Sequence, residues 1–238
     1  MIDRLSITTI YDNIQYNENL GTGWGFSSLI KTDNDNILFD TGGDSQILLG
    51  NMEKLGIDSK LVNIIFLSHI HGDHTGSLKG FLEKNSEVKV YLPKSFPERF
   101  KNVIKSYDVE IVEVSSPMKI REGFYSTGDL GSFTKEQSLI VKTKKGVVII
   151  TGCAHSGIVS IIKKSKEVVD ENIYLVMGGF HLKGYSKERI EFIIHNFRNL
   201  GVQKVAPSHC TGDQAINLFK NEYGDDFISN GTGKIIQI

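Results

Sequence analysis

Between His69 and His74 the chain places three imidazoles and a carboxylate within six positions, in Ser68-His69-Ile70-His71-Gly72-Asp73-His74. Such a density of ring nitrogen and carboxylate is costly to hold together unless a cation sits among the groups. Neutral imidazole and carboxylate are ligands that zinc, iron and manganese accept. His69 and His71, two apart, can reach one ion from an extended or turning backbone. Asp73 and His74 can turn to a second ion a few ångströms away, the arrangement of a two-metal hydrolytic site. Gly72 is expected to let the chain bend tightly between the two pairs.

The chain has seven histidines, and three of the others each follow an apolar run at a glycine-containing corner. His155 ends Thr151-Gly152-Cys153-Ala154-His155, His181 lies in Gly178-Gly179-Phe180-His181, and His209 lies in Ser208-His209-Cys210-Thr211-Gly212. Taken singly, each could be a structural histidine. Three strand ends that deliver the same side chain point to one shared site. His195, in Phe192-Ile193-Ile194-His195-Asn196, has the setting of an ordinary helix residue.

The order His-x-His-x-Asp-His, just past the apolar run Ile64 to Leu67, resembles the signature of the metallo-β-lactamase superfamily. The resemblance implies an α/β fold, a four-layer αββα sandwich, formed by residues 1–238 as one domain. In the superfamily pattern a third histidine completes the first metal site, a later aspartate bridges both ions, and a last histidine serves the second site. His155 fits the third ligand and His209 the last. The bridging aspartate is the departure: the expected Gly-Asp is replaced by Gly152-Cys153. Cys153 could supply a thiolate in its place, could be a buried hydrophobe, or the bridge could be absent. Zinc tolerates a mixed nitrogen, oxygen and sulfur set, so two zinc ions are expected, with iron or manganese as alternatives. Asp40 resembles the superfamily's early aspartate and is expected to accept the far ring N–H of a ligand histidine. Its other reading is a turn residue before Gly42-Gly43.

The combination of Thr-Gly-Cys-Ala-His, Gly-Gly-Phe-His-Leu and Ser-His-Cys-Thr-Gly is narrower than the fold-wide signature. It resembles a group of prokaryotic metal-dependent hydrolases of the superfamily. Some of that group are labelled 7,8-dihydropterin-6-yl-methyl-4-(β-D-ribofuranosyl)aminobenzene-5′-phosphate synthases. The likeness runs from about Phe26 to Gly212 and departs at Trp24-Gly25, where relatives carry Glu or His before the glycine.

The expected activity is hydrolysis of a small phosphoester, phosphodiester or ester. An ion held there would lower the pKa of water toward neutrality and polarise the scissile group. Asp73 could both ligate and accept the water's proton, and His181 could donate to a developing oxyanion or leaving group. One alternative is a transferase of pterin biosynthesis type, joining a dihydropterin to a ribofuranosylaminobenzene 5′-phosphate. Another is a non-catalytic metal-binding or redox-responsive module that uses Cys153 and Cys210. Thr211 and Gly212 begin an expected helix whose N-terminus would suit a phosphate. Trp24, Phe180 and Tyr185 could line a flat substrate, or could simply pack.

These residues need strands to carry them. Leu5 to Tyr11, Phe26 to Lys31, Asn36 to Phe39, Val88 to Leu92 and Val109 to Val114 have strand composition. Ser138 to Thr143 and Gly146 to Ile150 suggest a hairpin across Lys144-Lys145, followed by strands Ile173 to Met177, Lys204 to Pro207 and Gly233 to Ile238. Helical spacing marks Ser45 to Leu55, Thr75 to Glu83, Pro97 to Tyr107, Ile158 to Val169, Lys187 to Leu200 and Gln214 to Tyr223. Phe124 to Leu130 carries no decisive pattern.

With 238 residues the chain can bury a core unaided, and two cysteines cannot form a disulfide framework. Lys plus Arg (27) and Asp plus Glu (28) nearly cancel, giving no electrostatic reason to expect nucleic acid or an anionic membrane. Lysine runs such as Lys163-Lys164-Ser165-Lys166 fit solvated surfaces. No apolar run reaches the ~20 residues of a membrane helix. A cytoplasmic enzyme acting on a small molecule, which could bear phosphate, is the expectation, with homo-oligomerisation left open.

Overall fold

The computed structural model describes residues 1–238. Strands β1 (Ser6–Asp12), β2 (Phe26–Lys31), β3 (Asn36–Phe39), β4 (Ile64–Phe66), β5 (Lys89–Pro93) and β6 (Glu110–Val114) belong to a first sheet. Strands β7 (Met118–Arg121), β8 (Phe124–Ser126), β9 (Leu139–Thr143), β10 (Gly146–Thr151), β11 (Ile173–Gly179) and β12 (Lys204–Ser208) form a second. The last strand, β13 (Ile235–Gln237), returns to the first sheet, whose order is β13-β1-β2-β3-β4-β5-β6. The second runs β12-β11-β10-β9-β8-β7. In both sheets antiparallel pairing gives way to parallel strands: β3 to β6 in one, β10 to β12 in the other.

Alternating side chains build the layers, because successive residues of a strand face opposite sides. Ile37 and Phe39, Ile64 and Phe66, and Val148 and Ile150 point into a core between the sheets, where the Phe39 and Phe66 rings stack at 5.5 Å. Their neighbours Leu38 and Ile65 face outward and pack against helices α1 (Ser45–Lys54), α2 (Gly72–Thr75), α3 (Leu78–Leu82) and α4 (Glu98–Lys105), chiefly through Leu48, Met52, Phe81 and Ile104. On the second sheet Val147 and Ile149 face α5 (Ile158–Val168), α6 (Lys187–Asn199) and α7 (Asp213–Tyr223), through Ile161, Ile194, Phe197 and Phe219. The result is the α/β four-layer αββα sandwich. No helix is long and apolar enough to cross a membrane.

Two local expectations are corrected. The helix expected over Thr75 to Glu83 is two short ones, α2 and α3, broken around Gly76 and Ser77. Strand β7 and the pairing of Phe124–Ser126 were not apparent from sequence. Both are short, and β7 is an edge strand whose only buried residue is Ile120, so the alternation signal is weak.

Candidate metal centre

Strands β3, β4, β10, β11 and β12 all end at the same rim, and each is followed by one of the sequence-selected residues. Asp40 follows β3, the His69–His74 segment follows β4, Cys153 and His155 follow β10, His181 follows β11 and His209 follows β12. The corners are tightly constrained. Asp40, Ala154, His181 and His209 have φ of 52, 58, 54 and 45°. The left-handed region is disfavoured for residues with a Cβ, and such strain persists where surrounding structure over-determines it. Gly152 is required sterically: a Cβ there would strike Ser68 Oγ and lie 2.9 Å from Asp40 Oδ2. Gly72 is not required in this way. It opens α2 with free space around it and no positive φ, so the bend comes from His71 as N-cap of that helix.

The helical turn carries Asp73 and His74 toward β12, and four donor atoms meet there. His74 Nε2 lies 3.2 Å from Cys153 Sγ and 3.6 Å from Asp73 Oδ2. His209 Nε2 lies 3.5 Å from Cys153 Sγ and 3.7 Å from Asp73 Oδ2. Ligands of a tetrahedral zinc, at bonds of about 2.0–2.3 Å, stand about 3.3–3.8 Å from one another. These four separations are close to those of a ligand shell, and all four atoms lie within 4.8 Å of one another. Cys153 Sγ also falls within 4.8 Å of ligand atoms of His69 and His155. The His71 ring packs at 4.7 and 4.8 Å from the rings of those two histidines. Cys153 thus faces both groups of histidines.

Hydrogen bonds fix which ring nitrogens face inward. Asp40, fully buried, receives Ser68 N at 2.6 Å on Oδ1, and both Ser68 Oγ and His74 Nδ1 at 2.7 Å on Oδ2. With its proton given to Asp40, the Ser68 hydroxyl can only accept from His69 Nδ1, 2.9 Å away. Asn13 Oδ1 accepts from His209 Nδ1 at 2.7 Å. His69, His74 and His209 are therefore left with bare Nε2 lone pairs turned into the cluster. The Nε2 atoms of His69 and His155 are buried without any partner, a costly state for a polar atom unless a ligand completes it. Sequence reading missed Ser68 and Asn13. Adjacency to His69 was the only signal for Ser68, and Asn13 had none.

Electrostatics favour neutral rings at His69, His155 and His209. Burial, then the neighbouring His74 and His155, hold His69 well below its usual range. Burial and His181 lower His155 to about 4, and burial and His74 lower His209 to about 2. For His74 burial also acts downward, but Asp40 outweighs it and the net shift is upward. Uncharged imidazole is the metal-binding form, so the donor set fits a cation.

His181 is exposed at the rim, its ring 4.4 Å from that of His155, and it lies with Cys153 and Cys210 in a further small group. His195 is exposed on α6, apart from the cluster. Of the three aromatic residues considered for a substrate wall, Phe180 is taken up mostly by packing. It is buried among Phe197 and Phe219. Trp24 is 51% exposed, 5.1 Å from the His209 ring and beneath Lys183. Gly212 is the N-cap of α7, where no side chain caps the helix.

The family model of the Metallo-beta-lactamase superfamily matches residues 21–167. This chain belongs to the metallo-β-lactamase superfamily. Membership places it among enzymes, and superfamily members typically bind metal ions. The chain is similar to a 7,8-dihydropterin-6-methyl-4-(beta-D-ribofuranosyl)-aminobenzene-5'-phosphate synthase of Methanocaldococcus jannaschii, 31% identical over 99% of this chain and 97% of that protein. It is also similar to a solved metal-dependent hydrolase of the beta-lactamase superfamily, with 30% identity, a TM-score of 0.83, and coverage of 98% of this chain and 99% of that one. A ribonuclease Z of Nanoarchaeum equitans is 34% identical over 41% of this chain and 31% of its own length.

Proposed function

We propose that this metallo-β-lactamase-superfamily chain is a metal-dependent hydrolase of a small phosphoester, phosphodiester or ester. The observation that carries the reading is the four-atom group of Asp73, His74, Cys153 and His209, with two unpartnered buried ring nitrogens beside it. His69, His71 and His155 would hold one ion and Asp73, His74 and His209 a second, with Cys153 Sγ shared. Zinc suits this set best; iron or manganese are the alternatives. Ions bound there supply Lewis acidity and bring the pKa of water toward neutrality.

The protein's own part is orientation and proton handling. Asp40, Ser68 and Asn13 keep the ring nitrogens bare and aimed. Asp73, partly exposed at the rim, is the carboxylate placed to accept a proton from an attacking water. The neighbouring Cys210 sulfur raises the pKa of His181 and burial lowers it, and the net shift is upward. That shift suits His181 to donating a proton to the leaving group.

The test is metal content by elemental analysis, combined with turnover of 4-nitrophenyl phosphate, bis(4-nitrophenyl) phosphate and 4-nitrophenyl acetate. Bound metal with Asp73-dependent turnover of one class supports the reading; metal-free protein overturns it.

The full-length similarity to the methanogen synthase favours a second reading, a transferase that joins a dihydropterin to a ribofuranosylaminobenzene 5′-phosphate. It requires product that depends on both substrates, with little hydrolysis of either.

A further inference from the structure

The histidine cluster opens on one side into a cleft between α5 and α6, with a volume of about 390 Å³. That is within the range of small-molecule sites. His155 and His181 are among its lining residues, so the cleft reaches the candidate centre. Its walls are mostly apolar, and its outer lip carries Tyr185 and Phe192, the latter 68% exposed. An aromatic ring this exposed, beside other apolar side chains and above a hollow, lacks the packing that would explain it.

Two cations line the same cleft, Lys163 from α5 and Arg189 from α6. Their helical neighbours Lys164 and Lys187 are paired with Glu167 and Glu191, whereas Lys163 and Arg189 have no carboxylate partner. The Arg189 guanidinium lies 3.7 Å above the Tyr185 ring centroid, which holds the fork in one orientation while leaving its donors free. A hollow of similar size, about 400 Å³, lies between α6 and α7, but there Arg198 and Lys187 are already neutralised by Glu222 and Glu191. Only the α5–α6 cleft combines free cations, apolar walls and contact with the histidines.

We infer that the α5–α6 cleft binds the non-reacting part of the substrate, a flat apolar ring system bearing its own carboxylate or phosphate. The inference rests on the reading of the histidine cluster as the reaction centre. The ring lies against Tyr185 and Phe192, the anionic group is held by Lys163 and Arg189, and the reacting bond projects past His155 and His181. Arginine paired with a carboxylate or phosphate is geometrically selective, and the apolar walls reject a small inorganic anion.

Calorimetric titration of the protein as isolated tests this with three probes: 2-naphthoate, 2-naphthylmethylphosphonate and the neutral 2-naphthalenemethanol. Both anions should bind at least about tenfold more tightly than the alcohol, and the tighter of the two identifies the anionic group. Replacing both Lys163→Ala and Arg189→Ala should bring the anions to the level of the alcohol and leave the alcohol unchanged. Phe192→Ala should weaken all three. All these positions lie on exposed helix surface or at the cleft lip, and metal content per chain should not move. Equal binding of anions and alcohol overturns the inference, as does anion binding indifferent to the Lys163/Arg189 pair. Metal-free protein that binds naphthoate through Arg189 would leave the cleft standing while removing the hydrolase reading. Metal-loaded, active protein with no such binding would do the reverse.

Discussion

Cys153 Sγ stands 3.2 Å from His74 Nε2, at a point that also faces His209, His69 and His155. Both cysteines are free and buried. A thiol in the middle of a histidine cluster replaces the carboxylate expected there, and sulfur shared between two ions would keep both nitrogen sets in use.

Substitution of Cys153 should therefore change stoichiometry rather than only affinity. Elemental analysis is expected to give about two ions per chain in the wild type and about one in Cys153→Ala, with Cys153→Asp restoring the second. Two ions retained in Cys153→Ala would remove the sulfur from the ligand set.

Asp40→Asn should weaken metal binding about 10–100-fold, because an amide presents an N–H where His74 Nδ1 or Ser68 Oγ now donates. Ser68→Ala should act in the same direction, through the partner lost by His69 and the donor lost by Asp40. Chelator competition measures both, and a Ser68→Ala affinity equal to wild type would show that His69 needs no partner.

The pH dependence of the metal-free protein follows from His155 near 4 and His209 near 2, both depressed from 6.5. The unfolded chain takes up these protons first, so the stability held above about pH 6.5 is lost as pH falls toward 4 and below. Urea midpoints of chelator-treated protein should decline over that window. Metal-loaded protein should decline more steeply where protons displace the ions.

Phe180→Ala separates packing from substrate contact. Loss of a ring buried against Phe197 and Phe219 should cost about 3–5 kcal/mol of unfolding free energy. Phe180 also lines the α5–α6 cleft, so a change of KM measured where the variant is folded reports its contact with substrate, while the stability loss reports its packing. Unchanged stability would remove the packing role.

Much of the architecture was legible because strong patterns and family resemblance agreed. Phe26 to Lys31 and Asn36 to Phe39 emerge with the expected bounds, since both are β-rich runs cut by turn residues. The candidate cluster was legible because histidines at strand ends are conspicuous. The supporting groups were not. Asn13 and Ser68 are ordinary polar residues until folding sets them 2.7 Å from His209 and Asp40. The left-handed backbone at Asp40, Ala154, His181 and His209 has no signal in a residue type. The α5–α6 cleft was equally hidden, because Lys163 looked like solvated surface and Arg189 belonged to no motif until their helices were paired.

The two halves of the cluster come from different sheets: the 69–74 segment hangs from the first, and Cys153, His155 and His209 from the second. During synthesis the first half leaves the ribosome long before β12 exists. A nascent chain thus carries a loose histidine loop but no complete binding pocket. Metal capture would then be a late event, and an ion held between the halves would act as a clasp across the sheet–sheet seam, signalling that the sandwich has closed.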